Sequence, residues 1–306
     1  MKKKKLLYWS IVKKLFILLL CLQISSTSYA DVKGQALSNI SERISEKVLS
    51  VIPGEGVTEF DIQFSDQDDN DPRFNLLLLR DINKKENSNL FTQFSLHTQD
   101  VGQENLRYIG NIGLGYRFLN EDKSFMFGTN VFYDRDLEED HERGSFGLEA
   151  KAGILEFNLN LYQKISNQKI ANNRKEQSLG GRDYIISSQV PYLPWAQFNF
   201  TGYEHEKDIA TEDAEGRKYG LELSITPSLI FEAEYDESRN NGGDDVSNAK
   251  IIFVYPPRSK RSSMQDELVS NEAFYKKDMS TALEDKVRRN NNIAIETQGA
   301  VIITKK

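Results

Sequence analysis

Cysteine is nearly missing from this 306-residue chain, with Cys21 its only one. A lone cysteine excludes an intramolecular disulfide, so no bridge holds a small core together. Histidine is scarce as well: His97, His141 and His205 are all there is, without the spacing of a metal site. No long apolar run is present either. The longest, residues 15–24, is about half of the ~20 residues that a membrane helix needs. The charge is acidic, 46 Asp and Glu against 39 Lys and Arg, which argues against a nucleic-acid partner.

What is present begins with MKKKKLLYWSIVKKLFILLLCLQISSTSYA. Lysines 2–5, 13 and 14 form a basic region without an acid, the apolar stretch follows, and Ser28 and Ala30 are small residues suited to a signal peptidase. Residues 1–30 therefore read as a signal peptide for Sec-type export, cleaved near Ala30. Leu20, ahead of Cys21, is too large for a lipidation site. Six lysines and no acid leave with the signal, so 33 basic residues face 46 acidic ones and the formal charge moves from −7 to −13. Residues 31–56 read as a periplasmic N-terminal segment, one amphipathic helix (ALSNISERISEKVLSVI) closed by Pro53 and Gly54.

From residue 57 the period changes. In ILEFNLNLYQ, Leu155, Phe157, Leu159 and Leu161 alternate with Glu156, Asn158, Asn160 and Tyr162, the two-residue repeat of a strand with one apolar and one polar face. Twelve such segments are expected, near 58–65, 74–80, 89–97, 107–119, 124–134, 145–153, 154–163, 183–190, 195–204, 218–226, 228–236 and 249–255. From the fourth onward short links (LNEDK, Ala152-Gly153, PYLP, Thr226-Pro227) alternate with long charged ones at 134–144, 164–182, 204–218 and 236–248. Outer-membrane barrels show this alternation, with tight periplasmic turns and larger outer loops. The expected fold is all-β: a 12-stranded antiparallel transmembrane barrel over 57–256, with the N-terminal helix before it and a C-terminal helical linker and short tail over 257–306.

A barrel turns its apolar face to lipid, because an ionised side chain there costs a few kcal/mol at mid-membrane. Arg117, Glu149, Lys151, Glu222, Glu232 and Glu234 are thus expected in the lumen. Phe125, Phe127, Val131 and Tyr133 share a lipid face, and Tyr108, Phe118, Tyr184 and Tyr255 suit interfacial girdles. Gly110, Gly113, Gly115, Gly128, Gly147 and Gly220 fit closely packed strands.

NSNLFTQFSLHTQD, NIGLGYRFL, FMFGTNVFYDRDLEEDHERGSFGLEA and GRDYIISSQVPYLPWAQFNFTGYE together resemble the β-domain of the inverse autotransporters, the intimin/invasin family. The likeness covers most of 57–256, and GTNVFYDRDL and LGYRFL are its most specific parts. It implies a twelve-stranded outer-membrane barrel that helps export its own C-terminal passenger, in type V secretion of adhesins. LEDKVRRNNNIAIE, with Arg289, Asn290, Asn291 and Asn292, is similar to the family's stretch after the barrel, where a helical linker lies in the pore. Residues 263–289 read as such a helix, with Met264, Leu268, Tyr275, Met279, Leu283 and Val287 at helical spacing. Two departures are noted. The sequence stops nine residues after Thr297, without the immunoglobulin-like passenger usual in the family, and 31–52 is too short for a peptidoglycan-binding module.

A soluble exported β-domain is one alternative, and several other readings share this barrel. With the tail in the periplasm it is a small channel, biased toward cations by its glutamates. His141 and His205, flanked by acids, have the neighbours that could orient a catalytic base, but no serine stands as a nucleophile and a solvated loop histidine is the expectation. Acidic loops suit calcium or magnesium bridging to lipopolysaccharide, without a calcium-loop spacing. No enzyme activity, cofactor or metal site is expected. The expected partners are outer-membrane lipid and lipopolysaccharide, and the barrel-assembly machinery, which would read the last strand at Phe253 and Tyr255. Any surface ligand would meet loops 164–182, 204–218 and 236–248.

Overall fold

A computed structural model describes residues 54–66, 72–101, 106–171, 173–208, 213–239, 245–274, 279–297 and 300–302. All belong to one compact unit, residues 41–306. The expected signal peptide and N-terminal helix lie outside the described residues, except for 54–56.

The strands are β1 Gly56–Ser65, β2 Arg73–Lys85, β3 Ser88–Asp100, β4 Leu106–Leu119, β5 Phe125–Asp136, β6 Glu142–Ala152 and β7 Leu155–Lys164. There follow β8 Lys169–Ala171, β9 Arg174–Ser178, β10 Gly181–Val190, β11 Leu193–His205, β12 Ala214–Thr226, β13 Leu229–Ser238 and β14 Val246–Tyr255. A 3-10 turn at Met279–Glu284 precedes β15 Ile295–Thr297 and β16 Ala300–Ile302. Twelve strands close a barrel in the order β1-β14-β13-β12-β11-β10-β7-β6-β5-β4-β3-β2, and the other four form a small sheet, β16-β15-β9-β8. Every barrel pair is antiparallel, and β14 closes onto β1 from Thr58↔Tyr255 to Ser65↔Asn248. Closure leaves no unpaired backbone edge toward lipid, which is what allows strands to cross a bilayer.

The period-2 pattern sorts the faces as expected. On β4 the side chains of Tyr108, Ile112, Leu114, Tyr116 and Phe118 are exposed outward. Their alternates Arg107, Ile109, Asn111 and Arg117 are buried inward. The strands overrun the expected boundaries on the long-loop side. The stretch 134–144, read as a loop, is mostly strand: only 137–141 join β5 to β6. Charged residues there sit in the paired rim of the barrel, so polarity alone hid the ladder. Likewise 164–182, read as a loop, contains the β8–β9 hairpin.

The expected C-terminal helix is not found. Of the described residues in 263–289, regular structure is limited to the 3-10 turn.

Candidate functional site: the occupied lumen

From the 3-10 turn onward the chain enters the barrel. Asn89 donates to the Leu283 carbonyl at 3.1 Å. Gln93 accepts from the Val287 amide at 2.8 Å. Gln99 both donates to the Ile293 carbonyl and accepts from its amide, at 2.7 and 2.9 Å. In all three contacts the partners are 194 residues apart. The linker therefore runs parallel to β3 and keeps step with it residue for residue, from the short-turn mouth toward the long loops.

This register explains the missing helix. Ten residues of strand advance about 33 Å, whereas ten of helix advance about 15 Å. Only an extended linker stays matched to β3 from Asn89 to Gln99. Of the apolar residues that suggested a helix, Leu283 packs from the 3-10 turn and Val287 from the extended stretch, joined further on by Ile293, while Leu268 is exposed. Leu283 joins Leu119 and Met126, Val287 joins Leu79, Phe91 and Phe132, and Ile293 joins Val101 and Ile109.

Neighbouring strands complete the cradle. Asn111 donates to the Asn291 carbonyl at 3.1 Å and Asn160 to that of Arg288 at 3.1 Å. The Asn290 amide donates to the Tyr162 hydroxyl at 2.9 Å, and Arg143 to the Asn290 carbonyl at 2.8 Å. Such contacts satisfy backbone groups that neither helix nor sheet pairs.

The linker side chains are held by charge. Arg289 donates to both carboxylate oxygens of Asp134, at 2.9 and 2.6 Å, and Arg143 donates to the same carboxylate at 2.7 Å. The Arg289 guanidinium lies 4.4 Å from the centre of the Phe132 ring and that of Arg143 4.2 Å from Tyr162, within cation–π range. Gly113 makes room for this stack, because a Cβ there would fall 2.4 Å from the Phe132 ring. Gly115 does the same for Phe91, over which Arg117 lies at 4.4 Å. Toward the opposite wall, Lys286 reaches Glu59 at 3.0 Å and Arg288 reaches Glu222 at 2.9 Å. At the short-turn mouth Glu59 also meets Arg258, and Asp285 meets Arg261.

All six residues expected in the lumen line it, and each has a partner of opposite charge. Arg117 pairs with Glu149 at 2.8 Å, Lys151 with Asp285 at 2.6 Å, and Glu222 with Arg288. Glu232 pairs with Lys250 at 2.9 Å and Glu234 with Lys218 at 3.5 Å. A free glutamate lining, the basis of the cation-channel reading, is not what the lumen presents. Of the linker motif, Arg289 is the charged clasp, Asn290 and Asn291 are held through their carbonyls, and the Asn292 amide donates to Asn290 Oδ1 at 3.1 Å. Phe253 and Tyr255 lie half-buried on the closing strand β14.

The histidines depart from expectation. His97, His141 and His205 are buried, not solvated, because β3 and β11 continue past the expected ends and the β8–β9 hairpin covers His141. His141 Nε2 lies 3.2 Å from Glu176 of that hairpin. Arg107 donates to both oxygens of Glu176, at 2.7 and 2.9 Å. Burial pushes the Glu176 carboxyl up, but hydrogen bonds from His141 and Arg107 outweigh it and hold the group below its ordinary value. Beyond the lumen, β15 pairs with β9 from Ile295↔Ser178 to Thr297↔Glu176, so the emerging chain extends the outer hairpin's sheet.

The residues that reading by charge missed are the neutral ones, Asn89, Gln93, Gln99, Asn111 and Asn160. Their signal was available: amides recur on the inward face of β3, two or more residues apart, where a barrel wall needs none.

A closed antiparallel barrel with lipid-facing aromatics and a lumen threaded by its own C-terminal chain defines an outer-membrane β-barrel of the self-threaded kind. The model of the family "Inverse autotransporter, beta-domain" matches residues 22–291, most of the chain, and the chain belongs to that family. Over 218 residues it is 28% identical to the inverse autotransporter adhesin YeeJ of Escherichia coli K12, a match covering 67% of this chain and 9% of YeeJ. It is 29% identical over 103 residues to the uncharacterized protein YchO of the same organism, covering 33% of this chain and 21% of YchO. The chain thus spans less than a tenth of the adhesin's length. A solved structure from "Unveiling the Mechanism Behind the in-meso Crystallization of Membrane Proteins" superposes with a TM-score of 0.62 at 21% identity. It covers 79% of this chain and 99% of the other, a likeness of fold.

Proposed function

We propose that this chain anchors in the outer membrane and translocates the polypeptide that follows its barrel, carrying it outward through the lumen and presenting it beyond the long loops. The observation that carries this reading is the linker's fixed step along β3, which sets a direction from the short-turn mouth to the outer sheet. Short turns face the periplasm in such barrels, so that direction is outward. YeeJ is an adhesin, and by analogy the cargo here is adhesive. The barrel does no covalent chemistry in this reading: Glu176, which contacts His141, is bound by both terminal nitrogens of Arg107. Sec-type export, with cleavage near Ala30, precedes insertion. The barrel-assembly machinery reads β14 through Phe253 and Tyr255, and lipid and lipopolysaccharide surround the aromatic belt.

The test is an epitope tag after Lys306, probed by antibody on intact and then permeabilised cells. Labelling of intact cells supports translocation. Labelling only after permeabilisation puts the tail in the periplasm and leaves a channel reading in its place.

A further inference from the structure

The lumen contacts divide into two kinds with different information content. Arg289 on Asp134, Arg288 on Glu222 and Lys286 on Glu59 read side chains, so they recognise this linker and no other sequence. Asn89, Gln93, Gln99, Asn111 and Asn160 contact backbone carbonyls and amides of the linker, groups that every polypeptide carries, while Asp81, Asp134 and Asp183 of the wall orient the Asn89, Asn111 and Asn160 amides. Gln99 offers donor and acceptor to one residue, as a neighbouring strand would.

We infer that the amide-bearing inner wall from β3 to β7 is a binding track for any extended polypeptide, engaged by the cargo during its passage and by the linker only at rest. A closed barrel wall has no unpaired edge to offer a passing chain, since its own backbone is fully used. Side-chain amides replace that edge, and they exchange one peptide for the next without sequence preference. The charged contacts then act as a brake, catching the one stretch that carries Arg289 at the height of Asp134. Two buried groups have capacity that the resting linker does not use. The Gln93 Nε2 donor has no partner, and neither amide atom of Asn158 has one, among the described residues. Both side chains are under 2% exposed. A wall evolved only to hold the linker has no use for them.

This inference rests on the translocation reading, and its test separates the two. Two tagged extensions of about 40 residues, one Gly/Ser-rich and one Glu/Lys-rich, are fused after Lys306, and their appearance on intact cells is timed. Gln93→Leu with Gln99→Leu should slow both extensions alike, by roughly fivefold for each hydrogen bond removed. The lipid-face change Leu96→Val on the same strand should leave the rate unaltered. Heat-dependent gel mobility confirms that each barrel is folded. Should the double variant fold poorly, a crosslink answers instead: Gln99→Cys in the otherwise intact barrel, with single cysteines along an extension stalled by a fast-folding domain. Crosslinks at several positions in both extensions support the track. Crosslinks confined to a cysteine at Ile293, or unchanged rates in the folded double variant, overturn it. Absence of any tag on wild-type cells defeats the translocation reading itself.

Discussion

The two halves of the lumen wall face the same linker and treat it differently. From β3 to β7 the wall is closely packed against the linker: Gln93, Gln99, Arg117, Asp134 and Arg143 are fully or almost fully buried, and two aromatic rings lie over glycines to receive guanidinium groups. From β10 through β14 to β1 and β2 the wall is looser. A cavity of about 220 Å³ remains between linker and wall, lined by Asp61, Lys218, Glu234 and Lys250 among others. Two of its ion pairs, Lys218–Glu234 and Lys250–Glu232, are between 13% and 25% exposed. The contrast teaches where binding strength resides. Charges sealed by packing are costly to leave unpaired, whereas charges in contact with water lose little when a partner goes.

Breaking the strongest point of the closely packed wall should have the largest effect. Asp134→Ala strands Arg143 and Arg289 without their shared carboxylate. It should lower barrel stability by about 3–5 kcal/mol, read as the temperature at which heat-dependent gel mobility is lost. Next comes Gly113→Ala, whose added Cβ collides with the Phe132 ring. Displacing the ring and the Arg289 stack should cost about 1–3 kcal/mol by the same measurement, and a normal melting temperature would show that the stack contributes nothing.

Acid should loosen the exit before it loosens the barrel. Glu176 is held below its ordinary value of 4.5, so its contribution is complete above that value and is lost as pH falls through the lower folded value. Protease cleavage within 165–180 should therefore rise as pH drops below about 4.5, and Glu176→Gln should remove most of that dependence. The smallest effect belongs to the looser wall. Lys250→Met should change stability by less than about 1 kcal/mol. A loss as large as that from Asp134→Ala would erase the distinction between the two walls.

Much of this was legible in the residues. Alternation in ILEFNLNLYQ and the short and long links specify twelve strands, and the same alternation separates charged from apolar faces. The errors share a cause. His141 and His205 read as solvated because their sequence neighbours are charged, yet a covering hairpin and a longer strand bury them. Burial at those positions comes from strands distant in sequence, and no local pattern records it.

The sequence by itself determined which side of each strand meets lipid, because a two-residue alternation is a local property and a membrane enforces it. It also spaced Leu283 and Val287 four residues apart in the linker. It could not say whether the pair belonged to a helix or an extended chain, since a spacing of four lies near one helical turn and is also an even number of strand steps. Only the tertiary structure decided. Asn89, Gln93 and Gln99 are spaced along β3 at the strand's rise, and a chain that satisfies all three from Leu283, Val287 and Ile293 has to advance at that rise as well.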